Sequence, residues 1–481
     1  MSLRKRTLNG LLWTFSERFG IQAVNFVASV FLARLLLPEQ FGLIGMLTFF
    51  VAIGNSLIDS GLTSSLIRST DLKDIDYSTV FFLNLAGSVF MYFILFISAP
   101  LIAVFYQQPE LEGIARIYCL VFIINAFSTV QSTRLTKVMN FRPQILASTS
   151  SVIISGIFGV ALAFHGYGVW SLVLMSIAQS IISSIMLWTL SGWRPSFDFD
   201  LNILKKHFSF GYKLTLSSLI NTVYQNLYTL IIGKFFSASQ LGYFTRANTL
   251  RQLPIRNISA ALNRVTYPMF AEIQNDDIKL KAVYRKLMQQ VLFWICPILV
   301  WMGIFAEPLF VLLFSDKWLP AVPYFQIMCV SGVFYPLAAY NLNILKVKGK
   351  SGLILKLEII RKSFTVVAIF LVIPFGITGL LYFQVATTII GFVINTYYSG
   401  KLINYSLTEQ IKDFYPILLI SGIVGIIINT AGFLVEQRVA LPDVFLLVIT
   451  CIVGAGFYVL LSKIFNIKPL NDFKSIILNK V

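Results

Sequence analysis

The sequence predicts an all-α polytopic membrane protein of about fourteen transmembrane helices, two lobes of six followed by a C-terminal pair. Three observations predict it. Of 481 residues, 57% are hydrophobic and only 12% charged, a balance that excludes a soluble domain. Apolar stretches of about 20 residues, enough to cross a hydrocarbon core of about 30 Å, recur along the whole chain. The pattern of one stretch also returns 200 residues later.

The first six spans fall at 10–34, 41–64, 78–105, 113–133, 143–165 and 169–190. Six more follow at 208–234, 240–264, 288–314, 321–345, 351–373 and 376–400, then a pair at 414–434 and 442–462. The domain reading is therefore an N-lobe over 1–200, a C-lobe over 201–405, and a helix pair with its tail over 406–481. Basic Met1–Arg6 precedes a segment holding Glu17 and Arg18 without a small-residue cleavage site, which reads as an uncleaved first span and not a signal peptide.

Loop charge sets the orientation. With the N-terminus inside, 24 loop Lys and Arg residues lie on the cytoplasmic side and 4 outside (Arg34, Lys234, Lys317 and Arg438). Dropping the span at 240–264 would move both Lys279–Lys286 and Lys346–Lys350 outside and break that bias. The net charge of +17 then reflects loops facing anionic lipid, with no polar basic domain for nucleic acid.

The repeat aligns 32–50 with 232–250, so Arg34 meets Lys234, Gln40 meets Gln240 and Gly42 meets Gly242. The first span carries a polar stripe of Thr14, Arg18, Gln22, Asn25 and Ser29, answered near the same offset by Ser218, Thr222, Gln225 and Thr229. An even number of spans per lobe relates the lobes by an axis along the membrane normal.

The unusual stretch is Arg246–Arg264, four arginines in a predicted span. An arginine at the bilayer centre costs about 2.5–3.5 kcal/mol even on the lenient insertion scale, so it faces a cavity or a partner. At about 100° per residue, Asn248, Gln252, Ser259 and Asn263 share one face, flanked by Arg251 and Arg256. Arg246 and Arg264 point the other way near the ends, where they can snorkel to the headgroups. Pro254 removes a backbone donor between the central pair and is expected to kink the helix. A basic helix lying on the membrane surface is the plainer alternative, which the topology disfavours.

Ten basic residues but only four acids (Glu17, Asp59, Glu307 and Glu358) lie in predicted spans. Internal pairing cannot neutralise that excess, whereas a bound anion could. Glu358 and Lys362 have the spacing of an intrahelical pair. Arg18, Arg251, Arg256 and Arg361 are the deeper cations, and a planar guanidinium suits phosphate because it binds two oxygens at once. Tyr224, Asn226, Tyr335, Tyr340 and Asn341 are weaker candidates for sugar contacts. The four cysteines lie in apolar runs without metal or redox spacing, and His165 and His207 read as loop residues. No metal, phosphate-loop or nucleophile motif appears, and no loop is long enough for a catalytic domain, so the chain reads as a non-enzyme without a cofactor.

The segments ARLLLPEQFGLIGM (33–46), DSGLTSSLIRSTDLKDIDYSTVFFLN (59–84), LGYFTRANTLRQLP (241–254), RVTYPMFAEIQND (264–276) and LFSDKWLPAVPYFQIMC (313–329) resemble the polysaccharide transporters of the multidrug/oligosaccharidyl-lipid/polysaccharide exporter superfamily. The resemblance is to the Wzx-type lipopolysaccharide and teichuronic acid exporters and covers nearly the whole chain. It implies a V-shaped, multidrug-transporter-like pair of lobes in a bacterial inner membrane, with both termini cytoplasmic. It also implies flipping of an undecaprenyl-diphosphate-linked oligosaccharide for surface polysaccharide, with membrane lipid and a polysaccharide polymerase as partners. The lumen role of such flippases is carried onto Arg18, Arg251, Arg256 and Arg361, with Asn25, Asn248 and Gln252 on the polar faces. A proton or sodium gradient is the implied driving force, and Asp59 or Glu17 its candidate carrier. A lipid II-type flippase or a multidrug exporter on the same fold is the alternative, although a cation exporter calls for lumen carboxylates.

Overall fold

Helices make up all the regular secondary structure among the described residues. The computed structural model describes residues 20–59, 61–436 and 443–470, with side chains except at 59, 259–268, 435–436 and 443–447. By internal packing the chain forms two units, Met1–Gly242 and Tyr243–Val481. Among the described residues, nine helical stretches are long and apolar enough to cross a membrane, several of which, Ser351–Ile403 among them, contain two helices. The protein is thus a multi-pass membrane protein.

Unit 1 contains α1 (Gly20–Leu35), α2 (Pro38–Asp59), α3 (Leu62–Arg68), α4 (Asp74–Tyr106), α5 (Glu110–Tyr118), α6 (Leu120–Lys137), α7 (Arg142–Phe164), α8 (Val169–Leu190), α9 (Leu201–Gln225) and α10 (Leu227–Phe235). The helix ends follow from local chemistry. Asp76 accepts the Lys73 amide at 2.9 Å to open α4, and Asp200 accepts the Asn202 amide at 2.7 Å to open α9. Gln107 ends α4 in the left-handed region at φ 56°. Phe90, Ile97, Leu101 and Val104 recur every three to seven residues along α4 and are exposed, which makes an apolar stripe suited to lipid. The opposite face of α4 buries Tyr77, Val80 and Phe81 against Leu66, Val130 and Trp193.

The sequence repeat has a structural reason inside unit 1. A Cβ on Gly42 would lie 1.8 Å from the Ala238 carbonyl oxygen, and a Cβ on Gly242 would lie 1.9 Å from that of Pro38. Pro38 and Ala238 are themselves repeat mates, so the two copies meet backbone to backbone through their glycines. Gln40 and Gln240 do the same work in each copy: their Oε1 atoms accept the amides of Leu37 (3.0 Å) and Ser237 (3.1 Å). Further along α2, Ser56 donates to Ser218 at 3.1 Å, and Gly61 and Gly211 are again in backbone contact.

The last helix to start in unit 1, α11 (Ala238–Glu272), continues through unit 2. It has 35 residues, about 52 Å at 1.5 Å per residue, and runs through Pro254 without a break in the helix. Unit 2 continues with α12 (Asp277–Ile304), α13 (Ala306–Phe314), α14 (Val322–Val347), α15 (Ser351–Val372), α16 (Gly376–Ile403), α17 (Leu407–Glu436) and α18 (Asp443–Ile464). Asp276 caps α12 by accepting the Lys279 amide at 2.9 Å. The C-terminal pair docks on α12: Trp301 Nε1 donates to the Ser421 carbonyl at 3.1 Å, and the Tyr458 hydroxyl donates to that of Phe293 at 3.0 Å. At one end of α17, Lys281 pairs with Glu409 at 3.1 Å and Arg285 pairs with Asp413, two rungs each one helical turn apart.

Candidate functional site

The α11 face singled out by the sequence comes together in unit 2. Arg251 donates from Nη2 to Asn248 Oδ1 at 2.8 Å and from Nη1 to Ser331 Oγ of α14 at 2.6 Å. Gln252 donates to the same Asn248 oxygen at 3.2 Å. Ser331 gives its own proton to the Met328 carbonyl, so a hydroxyl lone pair is turned toward the arginine. The Arg251 Nε is buried without a partner, and among the described residues no carboxylate pairs with this guanidinium. Neutral oxygens therefore orient the cation without cancelling its charge. The close approach of α14 depends on Gly332, where a Cβ would lie 2.9 Å from Leu299 Cδ1 and 3.0 Å from Ile255 Cδ1.

The other predicted residues lie elsewhere. Arg256 is exposed on α11, and Asn25 is exposed on α1. Arg361 is on α15, where it pairs with Glu358, which also holds Lys362 at 3.3 Å. Asp59 closes α2, but its side chain, like Glu17 and Arg18, lies outside the described residues.

Four side chains differ from the sequence expectation. Arg246 does not snorkel; it is 7% exposed, with its guanidinium carbon 5.2 Å from the Phe314 ring centre and 5.5 Å from that of Trp318. Aromatic faces take the place of headgroups there. Tyr340 and Asn341 are buried and cannot meet a sugar. Asn341 instead bonds to Thr396 at 3.0 Å, Gln410 at 3.2 Å and Ser399, a knot between α14, α16 and α17. His207 is no loop residue. It is fully buried in α9, with Nδ1 2.8 Å from Ser65 Oγ and Nε2 3.4 Å from Asp76 Oδ1.

Unit 1 adds a feature that the sequence reading missed, a cavity of about 350 Å³. Its polar wall is Asn55, Thr63 and Ser88 together with Asn125, Ser128, Thr129, Ser132, Thr133 and Thr136 of α6, and its apolar wall includes Ile58, Ile67, Phe122 and Leu187. The signal was present as hydroxyls and an amide at three- and four-residue spacing along α6, inside a stretch read as a plain span.

The family model described as "polysaccharide biosynthesis protein" matches residues 31–323. The chain belongs to that family. It is 25% identical over 437 residues to the teichuronic acid biosynthesis protein TuaB of Bacillus subtilis, covering 89% of each chain. It is likewise 25% identical over 444 residues to the lipopolysaccharide biosynthesis protein WzxC of Escherichia coli, again with 89% of each covered. To the succinoglycan biosynthesis transport protein ExoT of Rhizobium meliloti it is 26% identical over 360 residues, covering 74% of this chain and 72% of ExoT. The fold is similar to the lipid II flippase MurJ in its inward closed conformation (TM-score 0.73, 14% identity, 95% and 98% covered). It is also similar to the inward-facing conformation of a multidrug resistance MATE family transporter of the MOP superfamily (TM-score 0.62, 18% identity, 80% and 96% covered). This polysaccharide biosynthesis protein thus has the fold of transporters and flippases.

Proposed function

We propose that this family member moves a polyprenyl-diphosphate-linked oligosaccharide from the cytoplasmic to the outer face of a bacterial inner membrane. The observation that carries the reading is Arg251: a guanidinium deep in a 35-residue helix, aimed by Asn248 and Ser331 and left without a carboxylate. In a low-dielectric setting such a charge calls for an anion, and a diphosphate offers oxygens in the geometry the guanidinium fork accepts. Arg256, five residues on and exposed, is the second contact in this scheme. Arg361 is a weaker one, because Glu358 already answers it. The relatives named for lipopolysaccharide, teichuronic acid and succinoglycan support a surface glycan as the cargo.

The transport step in this reading is alternating access, driven by a proton or sodium gradient for which Asp59 and Glu17 are the proposed carriers. The glycine contacts at Gly42–Ala238, Gly242–Pro38 and Gly61–Gly211 suit a joint that opens and closes, since they hold backbones together with little side-chain interlocking. Strains lacking the gene test the reading. Lipid-linked oligosaccharide accumulates on the inner face, wild type clears it, and Arg251→Ala at matched membrane abundance leaves it in place. Full clearance by Arg251→Ala would remove the arginine from the mechanism.

A further inference from the structure

We infer that the unit 1 cavity is a subsite for an uncharged sugar residue of the cargo, separate from the arginine cluster that the export reading assigns to the diphosphate; the inference rests on that reading. Three properties of the wall carry it. Among the described residues its polar lining is all hydroxyls and amides, with neither a cation for phosphate nor a carboxylate for an amine or metal ion. Its other side is apolar, with Phe122, Ile58, Ile67 and Leu187, so the cavity is amphipathic in the way a sugar ring is, with hydroxyls at its edge and C–H groups on its faces. At about 350 Å³ it lies at the small end of the usual range for small-molecule sites, about 300–1,000 Å³.

Hydrogen-bond accounting gives the polarity of the wall. Thr129 donates its hydroxyl proton to the Asn125 carbonyl at 2.9 Å, Thr133 to that of Thr129 at 2.8 Å, and Thr136 to that of Ser132 at 2.9 Å. Ser128 likewise donates to the Asn125 carbonyl at 3.1 Å. With their protons used within the helix, Ser128, Thr129 and Thr133 present acceptor lone pairs to the cavity, which suits a ligand rich in O–H donors, while the Thr136 oxygen already accepts from Gln144 Nε2 at 2.9 Å. Ser88, fully buried in the wall, has no hydrogen-bond partner among the described residues. A buried hydroxyl rarely stays unmatched, and a polyhydroxylated guest supplies both donors and acceptors. The nearby cations are engaged elsewhere: Lys137 donates to the carbonyls of Leu66, at 2.9 Å, and Ser69, while Arg134 lies over the Tyr77 ring.

The test uses the purified full chain and two probes, sugar-free undecaprenyl diphosphate and the polyprenyl-diphosphate oligosaccharide extracted from the host membrane, with binding read by native mass spectrometry. Thr129→Val keeps the side-chain shape and removes one oxygen from the wall, and Ser132→Ala is a second mild variant on the same face. Together they are expected to weaken the oligosaccharide-bearing lipid about tenfold, in line with two lost hydrogen bonds. Binding of the sugar-free lipid should stay as in wild type. Equal affinity of variant and wild type for both probes would overturn the inference while leaving the export reading intact, and the Ser88 hydroxyl would then be matched by water. Equal weakening for both probes would overturn it too, by showing that the cavity does not read the sugar. Failure of the wild type to bind either probe would sink the export reading, and this inference with it.

Discussion

Asn341 and Gln410 in unit 2 are as buried as Asn84 and Gln131 in unit 1, yet the first pair is bonded into a knot with Thr396 and Ser399 while the second pair has no partner among the described residues. The contrast extends to the joints around them. In unit 2, α17 is held by that knot and by two ion pairs to α12; in unit 1, α2 meets α9 and the start of α11 through glycine–backbone contacts and one Ser–Ser hydrogen bond. Side-chain knots resist separation because parting them strands several polar groups at once, whereas glycine contacts part at the cost of dispersion alone. Buried polar groups in the two units thus differ: one set ties helices together, and the other adds no such tie.

Substitutions can break this contrast. The largest effect is expected from Gly42→Val, whose Cβ would overlap the Ala238 carbonyl oxygen. Because the backbones must separate, export should fall to background with the protein still folded, and cysteines placed near Pro38 and Ala238 should lose their crosslinking. Wild-type crosslinking in that variant would show that the contact is not tight.

Next comes the pair Asn341→Leu and Gln131→Leu, which sharpens the comparison directly. The first strands Ser399, Thr396 and Gln410 and should cost about 2 kcal/mol in unfolding free energy. The second removes an amide without a partner among the described residues and should be neutral or stabilising. Similar losses in both would erase the distinction. A smaller loss, about 1 kcal/mol, is expected for Asp413→Asn, which weakens one rung to Arg285 while keeping the Tyr405 contact in place.

The smallest effect is a pH dependence in unit 1. Burial pushes the His207 imidazole below its usual range, against Asp76, which favours the proton, and with Lys206 and Lys137, which oppose it. A histidine with a depressed folded-state value leaves stability intact above its unfolded value of about 6.5 and loses it as pH falls through the folded value. Acidification below about 6 should therefore loosen the joint between α9 and α3, and His207→Gln should flatten the profile. Hydrogen exchange of the α9 amides across that pH range reads the effect, and an unchanged slope in the variant would assign the titration to another group.

What the sequence made legible is what repeats or lies within one helix. Gln40 and Gln240, and Gly42 and Gly242, could be paired by offset alone, and the structure adds that each glycine meets the other copy's backbone, at Ala238 and Pro38, while each glutamine caps its own copy. Asn248, Arg251 and Gln252 could be placed on adjoining faces from helical spacing, and they are bonded to one another. What escaped depends on partners distant in sequence. The rings that enclose Arg246 are about 70 residues away in the chain, and the groups that occupy Asn341 are 55 to 69 residues away. The α6 hydroxyls were hidden for another reason: with their protons given to their own helix, serine and threonine are compatible with an apolar span, and hydropathy does not separate a lipid-facing span from one that walls a cavity.

The most direct measurement is the sidedness of a polyprenyl-diphosphate oligosaccharide in proteoliposomes of the purified protein, read with an impermeant lectin. The account predicts protein-dependent appearance of glycan on the far side, lost in Arg251→Ala and undiminished in Asp413→Asn at equal protein content. Translocation that persists unchanged in Arg251→Ala would contradict it.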